Sequence, residues 1–360
     1  MDARTYDVVI VGAGAAGCAA AAGLPEGVRG LLVDRFDAAR GRCCGGLLAP
    51  DAQRAIRRLG LKVPDAVRVR PEPHEVHVLD LDSGRQQTYA RDYRNLDRAR
   101  FDAWLLEQAR GRVDVRPHAR LVDLARDAED VTVRLSAGGT ETAVRATCVI
   151  GADGAGSRAR RLAFPDRPAP RAMVAIQVRL PADPPTSRHE VLFASRLTSF
   201  YAWAIPKART VLVGAAFGRL RGARERFEEI LEHFRQRLGL DGPVLARSAR
   251  RLTRPARAND LFAGDGRVLL AGEAAGLVSP SSGEGLSFAL ESGAAAGAAV
   301  RACGPAPTAS GSALEEAADA VAYHRHFDRL ARRVRRKVIK ARVIFSPRLR
   351  RWALRLPWCP

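Results

Sequence analysis

The spacing of three glycines, Gly12, Gly14 and Gly17, together with an acid at Asp34, is that of a dinucleotide site. In a Gly-x-Gly-x-x-Gly turn the first glycine makes the tight bend, the second lets a pyrophosphate approach the backbone, and the third lets the helix pack close to the preceding strand. Ala15 and Ala16 complete the turn without bulk. Asp34 stands about 20 residues past the turn, where a carboxylate takes the hydroxyls of an adenosine ribose, and Arg35 beside it is counted with the cofactor residues. This motif alone does not separate NAD from FAD. A second group with chemical potential is the adjacent pair Cys43 and Cys44, set in a glycine-containing stretch. Adjacent Cα atoms lie about 3.8 Å apart, below the usual disulfide range of about 4.4–6.8 Å, so the expectation is two thiols rather than a strained bond.

Such residues act only where secondary structure delivers them. Tyr6–Val11 reads as a buried parallel strand, because Val8, Val9, Ile10 and Val11 follow one another without polar alternation. A small-residue helix is expected over Cys18–Leu24, and a second strand over Gly30–Val33 ends at Asp34. The helix N-terminus would offer unpaired N–H groups and partial positive charge to phosphates.

The chain has 360 residues, 47% hydrophobic and 27% charged, enough for one large core or two packed domains. No run of about 18 uncharged apolar residues occurs, so a spanning helix is not expected. Asp2, Arg4 and Asp7 crowd the N-terminus, and Val8–Val11 is too short for a signal core, which makes the cytoplasm the expected location. The six cysteines follow neither a disulfide framework nor a zinc spacing. The formal charge of +20 rests on arginine, with only four lysines, a bias that a GC-rich genome also produces.

Two later segments choose the cofactor. Cys148–Arg158 is an apolar strand running into Asp153-Gly154, and Arg267–Gly276 is a strand that brings Gly272-Glu273 to a small-residue turn. With the Gly12 turn, this trio resembles the flavoprotein family that includes the aromatic hydroxylases and the geranylgeranyl reductases. The resemblance implies FAD, supported at Asp153 and Gly154, with the acid of the last motif on the ribityl chain. Glu273 stands where most members carry Asp. Arg98-Ala-Arg-Phe-Asp resembles the family's helix whose arginine reaches the FAD phosphates, and Pro280–Leu290 supplies Gly283, Gly285 and Leu286 near the isoalloxazine. A second complete glycine triplet after a strand is missing. The reductant is therefore expected to dock transiently, as NAD(P)H or as an electron-carrier protein.

Within that family, Cys44-Gly45-Gly46-Leu47 is similar to the Cys-Gly-Gly loop near the flavin of the geranylgeranyl reductases, and the stretch Cys44–Gln53 resembles the CbrA-like branch. The resemblance makes Cys44, Gly45 and Gly46 the candidate catalytic loop. Phe200–Lys207 resembles the pattern Tyr-x-Trp-x-Phe-Pro, with Ile205 in place of Phe. Strand alternation puts Tyr201, Trp203 and Ile205 on one face, and with Pro206 they are the candidate substrate wall; the same alternation also describes aromatic residues filling a core.

The architecture expected is α/β: a discontinuous Rossmann-like FAD domain from 1–70, 93–165 and 255–300, a β-rich substrate domain from 71–92 and 166–254, and a basic helical region over 301–360. Pro181, Pro184 and Pro185 would lie in a substrate-domain loop. In the last region thirteen cationic residues from Arg325 to Arg355 meet the single acid Asp328. Its apolar positions recur at helical spacing, which suits either a peripheral contact with an anionic membrane or packing against the protein. Nucleic acid is not an expected partner. The function implied is FAD-dependent reduction of carbon–carbon double bonds in a polyprenyl or other hydrophobic substrate. The alternatives are an FAD-dependent monooxygenase using NAD(P)H and oxygen, and a membrane-associated flavoprotein that relays electrons.

Overall fold

In a computed structural model the described residues are 5–37, 43–127, 129–183, 186–300 and 313–354, with no side-chain description for 313–320. Pro184, Pro185, 301–312 and 355–360 lie outside them, and with these Arg355 and the start of the basic C-terminal region.

The consecutive β-branched residues of the first strand do form the centre of a sheet. Thr5–Val11 lies between Gly30–Val33 and the end of Thr140–Gly151, parallel to both, and Val8, Val9 and Ile10 have no exposed surface. The full order is Gly264–Asp265, Val268–Leu270, Thr140–Gly151, Thr5–Val11, Gly30–Val33 and Asp114–Arg116. An antiparallel pair, Arg120–Arg126 with Val131–Ala137, extends this sheet along the N-terminal half of the long strand. The helix after the glycine turn spans Ala15–Ala22 rather than Cys18–Leu24. It starts earlier because Gly14 is itself the N-cap, in extended conformation, so that Ala15 already makes the first turn.

Helix Leu286–Ala298 packs on Ala15–Ala22 with backbone nearly touching backbone. A Cβ added at Gly293 would sit 2.1 Å from the Ala16 carbonyl oxygen, and one at Gly297 would sit 2.1 Å from that of Ala20.

A second sheet has seven strands drawn from 75–90 and 172–253, in the order Ala246–Thr253, Ala172–Pro181, Thr210–Phe217, Ala202–Lys207, His189–Phe193, Glu75–Asp80, Arg85–Ala90. Its two faces differ because side chains alternate. Ala202, Ala204, Val211, Val213 and Ala215 pack under helix Ala223–Leu238 through Phe227, Ile230 and Phe234. Trp203, Ile205, Leu212 and Ala216 point the opposite way, with Met173, Ala175 and Phe200.

The C-terminal stripe packs against the protein. Along helix Ala313–Ile344, Tyr323, Phe327, Leu330, Ala331 and Val334 join the core of the first sheet, and Arg333 pairs with Glu291 at 2.9 Å. Arg350, one of the cationic run, is buried beside Asp80 at 2.9 Å and also meets Asp82. Arg332, Arg335, Arg336 and Arg342 stay exposed, as do Ile339 and Trp352. Among the described residues no helix is long and apolar enough to cross a membrane.

Gly293→Ala is expected to lower stability by about 1–3 kcal/mol in urea unfolding, since the added methyl meets backbone that cannot give way. Gly111→Ala serves as control, its nearest neighbour lying 4.0 Å from the added carbon. That variant should stay within about 0.5 kcal/mol of the parent.

Candidate functional site

Three motifs far apart in sequence end at one edge of the parallel sheet. Val11 is in register with Gly151, and Gly151 with Leu270, so the Gly12 turn, Asp153-Gly154 and Gly272-Glu273 leave the same ends of adjacent strands. Ligands of open α/β sheets bind outside those carboxyl ends. Gly12 takes φ +106°, and a Cβ there would lie 2.6 Å from the Ala152 carbonyl oxygen. The turn therefore packs against the neighbouring crossing with room only for hydrogen. No side chain caps helix Ala15–Ala22, which leaves its first N–H groups to an anion.

The acids around this edge are held in place. Asp34 accepts from Ala13 N at 2.9 Å and from Phe36 N at 3.0 Å, one bond to each oxygen, and each oxygen keeps a further lone pair for a ribose hydroxyl. Asp153 Oδ2 accepts from Arg158 N at 2.6 Å and Ala159 N at 3.1 Å, while its Oδ1 is buried without a protein partner. Burial raises the Asp153 pKa. Glu273 Oε2 lies 3.9 Å from the position of a Cβ on Gly154, and both residues line a cavity of about 70 Å³. Buried Arg160 donates to the Ala274 carbonyl at 3.1 Å and so fixes the turn that carries Glu273. A glycine cradle, an uncapped helix start and an orphaned buried carboxylate oxygen fit a bound dinucleotide.

The Cys44 loop lies against the start of helix Arg98–Arg110. Asp97 caps helix Arg98–Arg110 through Ala99 N and Arg100 N, which sets Arg98 in the first turn and Asp102 one turn later. Arg98 then forks: Nη2 meets Asp102 at 2.9 Å, and Nη1 donates to Cys44 Sγ at 2.8 Å. Gly46 N donates to the same sulfur at 3.4 Å. Burial alone would raise the Cys44 pKa, but the Arg98 guanidinium, the Gly46 N–H and Lys207 outweigh it and hold the thiol below its ordinary value. Cys43 turns the other way, with Sγ 3.8 Å from the Ala175 carbonyl oxygen, and burial raises its pKa. Lys207 is buried behind the loop, donating to Asn95 Oδ1 and to the Leu96 carbonyl at 2.9 Å. Burial pulls its pKa down to about 7.

The third wall is the apolar face of the second sheet. Gly45 lies so close to it that an added Cβ would sit 2.5 Å from Ile205 Cδ1, and at Gly46 (φ +64°) an added Cβ would sit 2.5 Å from the Leu96 carbonyl oxygen. Trp203 fits because its register partner is Gly214, where a Cβ would come 2.4 Å from the indole. Tyr201 Oη donates to the Ser282 carbonyl at 2.5 Å, tying the wall to the glycine loop that ends at Gly285, the N-cap of helix Leu286–Ala298. Glu284 in that loop accepts from Tyr93 Oη at 2.7 Å and meets Arg91 at 3.3 Å.

The family description "FAD binding domain" matches residues 5–303. The chain belongs to that family. FAD is therefore its cofactor. It is 30% identical to protein CbrA of Escherichia coli O9:H4 (strain HS), over 97% of this chain and 93% of that one. Among solved structures it is similar to a geranylgeranyl bacteriochlorophyll reductase-like protein from Thermoplasma acidophilum, with TM-score 0.77 and 18% identity over 95% of this chain and 88% of that one. It is also similar to p-nitrophenol 4-monooxygenase PnpA from Pseudomonas putida DLL-E4, with TM-score 0.65 and 20% identity over 98% and 97% of the two chains. At these identities the structural likeness is one of fold.

The sequence-derived residues of this family member gather in two groups. Gly12, Gly17, Asp34, Asp153, Gly154, Gly272 and Glu273 cluster at the strand ends, and Cys44, Gly45 and Gly46 meet Ile205 and Arg98. The Arg98 guanidinium, expected on the FAD phosphates, here engages Cys44 and Asp102. Arg35 is exposed and stacks on Phe36 at 4.7 Å. Sequence reasoning missed Lys207, Asn95, Arg91, Tyr93 and Glu284. Lys207 follows Pro206 directly at the end of an apolar strand, the one signal that it would be buried.

Iodoacetamide is expected to label Cys44 before Cys43 at pH 7. Arg98→Met should slow that labelling by roughly tenfold or more through loss of the adjacent cation. Equal labelling of both cysteines, read by peptide mass spectrometry, would contradict the assignment.

Proposed function

We propose that this chain reduces carbon–carbon double bonds of a polyprenyl or other hydrophobic substrate. The observation that carries the reading is the contact between the apolar face of Tyr201, Trp203 and Ile205 and the Cys44–Gly46 loop. A wall of this kind binds hydrocarbon and keeps water from the reacting atoms. In this reading the Gly12 turn and the Ala15 helix start hold the FAD pyrophosphate, Asp34 holds the adenosine ribose, and Glu273, Asp153 and Gly154 hold the ribityl side. FAD held there would supply the hydride chemistry for one alkene carbon, with NAD(P)H or a protein donor as its reductant. Cys44 Sγ holds the proton for the other carbon, and Arg98 stabilises the thiolate left behind. Lys207, Asn95 and the Leu96 carbonyl form the buried polar support beneath the loop. The exposed arginines of 332–342, with Ile339 and Trp352, support peripheral contact with an anionic membrane from which such a substrate would come.

The test is anaerobic turnover of the dithionite-reduced holoprotein with total bacterial lipid, followed by mass spectrometry. The expected product is heavier than its substrate by two hydrogens. A product heavier by one oxygen, formed only in air, would establish the monooxygenase reading instead. Unchanged lipid would leave electron relay. Trp203→Ala should reduce turnover mainly through a higher KM, because the residue supplies binding area and no chemistry.

A further inference from the structure

Strand Ala202–Lys207 meets the Cys44 loop at two successive residues. Ile205 and Lys207 share a face by strand alternation. Ile205 abuts Gly45, and Lys207 Nζ lies 2.7 Å from where a Cβ on Gly46 would sit. The first contact is apolar, but the second is made by a side chain that is buried and basic. Lys207 Nζ donates to the Leu96 carbonyl at 2.9 Å, to Asn95 Oδ1, and to the Gly46 carbonyl at 3.5 Å. Three acceptors match the three N–H groups of an ammonium. Among the described residues no carboxylate pairs with it, so dipoles alone hold the charge. Burial pulls the Lys207 pKa down to about 7; Arg179 and Arg98 add to that, while Cys44 and Asp97 oppose it. Buried His189 feels the same charge and stays neutral, its pKa lowered by burial to about 3.

The three acceptors belong to two segments that have to stay in register. Gly46 follows Cys44 by two residues. Asn95 and Leu96 run into Asp97, the N-cap of the helix that begins at Arg98. These segments pair over only two residues each, Leu47–Leu48 with Arg94–Asn95, and Leu96 N donates to the Gly46 carbonyl at 2.7 Å. Asn95 Nδ2 donates to the Pro206 carbonyl at 2.7 Å, which closes the junction on the strand that carries Lys207. The 2.8 Å contact of Arg98 with Cys44 Sγ spans this junction, so it survives only while the two segments keep their spacing. We propose that Lys207 is a positioning residue: its ammonium clamps the Gly46 carbonyl to the Asn95–Leu96 segment and so holds Cys44 Sγ on the Arg98 guanidinium. Its bearing on catalysis rests on the role given to Cys44 above; the clamp itself does not.

The test is a double-mutant cycle on FAD-loaded protein. Its readout is the midpoint of the pH profile of Cys44 labelling by iodoacetamide, followed by peptide mass spectrometry. The midpoint is used because a loosened loop changes access, and so rate, as well as ionisation. Lys207→Met keeps the length of the side chain and removes the charge and the donors. Lys207→Met and Arg98→Met should each raise the midpoint by about one pH unit. The double variant should show no more than the larger single shift, because without the clamp Arg98 no longer reaches the sulfur. Shifts that add would overturn the proposal, since Lys207 would then act by its own charge and not through Arg98. An unchanged midpoint in Lys207→Met would overturn it as well, and so would a Cys43 midpoint that moves as far as that of Cys44, which would mean general loosening. Should Lys207→Met fail to fold, Lys207→Gln, neutral but still a donor, is read against the same outcomes. Because turnover is not measured, failure of the reductase reading leaves these outcomes unaffected.

Discussion

Helices Ala15–Ala22 and Leu286–Ala298 touch through Ala16 and Ala20 on one side and Gly293 and Gly297 on the other, at a separation that leaves no room for a β-carbon. Gly23 repeats the constraint in the opposite direction, since a Cβ there would lie 2.4 Å from the Ala294 carbonyl oxygen. One of these helices begins at the Gly12 turn and the other at the glycine loop ending in Gly285. Their contact therefore sets the distance between those two loops. Helix Ala313–Ile344 adds to it, with Arg333 reaching Glu291 at 2.9 Å and Asp51 at 3.6 Å. Close packing of this sort admits little adjustment, which makes the positions of both loops a property of the helix pair and not of the loops.

The second sheet meets this frame with apolar contacts at the centre and polar ones at the rim. Ile205 under Gly45, and Trp203 over Gly214, fill the middle. Around them Tyr201 bonds the Ser282 carbonyl, and Tyr93 with Arg91 holds Glu284. Each rim contact ends on the loop before Gly285. The second sheet and the helix pair are thus tied at one loop, and the directed hydrogen bonds give an otherwise non-directional apolar contact its register.

Electrostatics separates two cysteines that are neighbours in the chain. Both are desolvated, which favours the neutral thiol, but only Cys44 has a guanidinium at 2.8 Å, and that cation together with the Gly46 N–H and Lys207 outweighs burial. Lys207 is the opposite case, a buried amine surrounded by neutral acceptors and left with a pKa of about 7.

The FAD edge was legible because it is made of local rules. A run of β-branched residues gives a central parallel strand, a glycine triplet gives the turn, and an acid at the next strand end accepts from that turn; each depends on a few consecutive residues. Strand alternation likewise determined that Tyr201, Trp203 and Ile205 share a face apart from Ala202 and Ala204. Tertiary structure alone decided what that face meets, because the partners of Ile205 and Tyr201 are Gly45 and Ser282, distant in sequence. It also decided the fate of the cations. In sequence Arg98, Arg254, Arg342, Arg350 and Lys207 differ only in their neighbours, yet the fold puts one on a thiol, one beside two stacked aromatic rings, one in solvent, one on Asp80 and Asp82, and one among neutral hydrogen-bond acceptors. The charge of such a side chain is written in the chain, but its energy depends on the dielectric and counter-charge around it, and only folding supplies these.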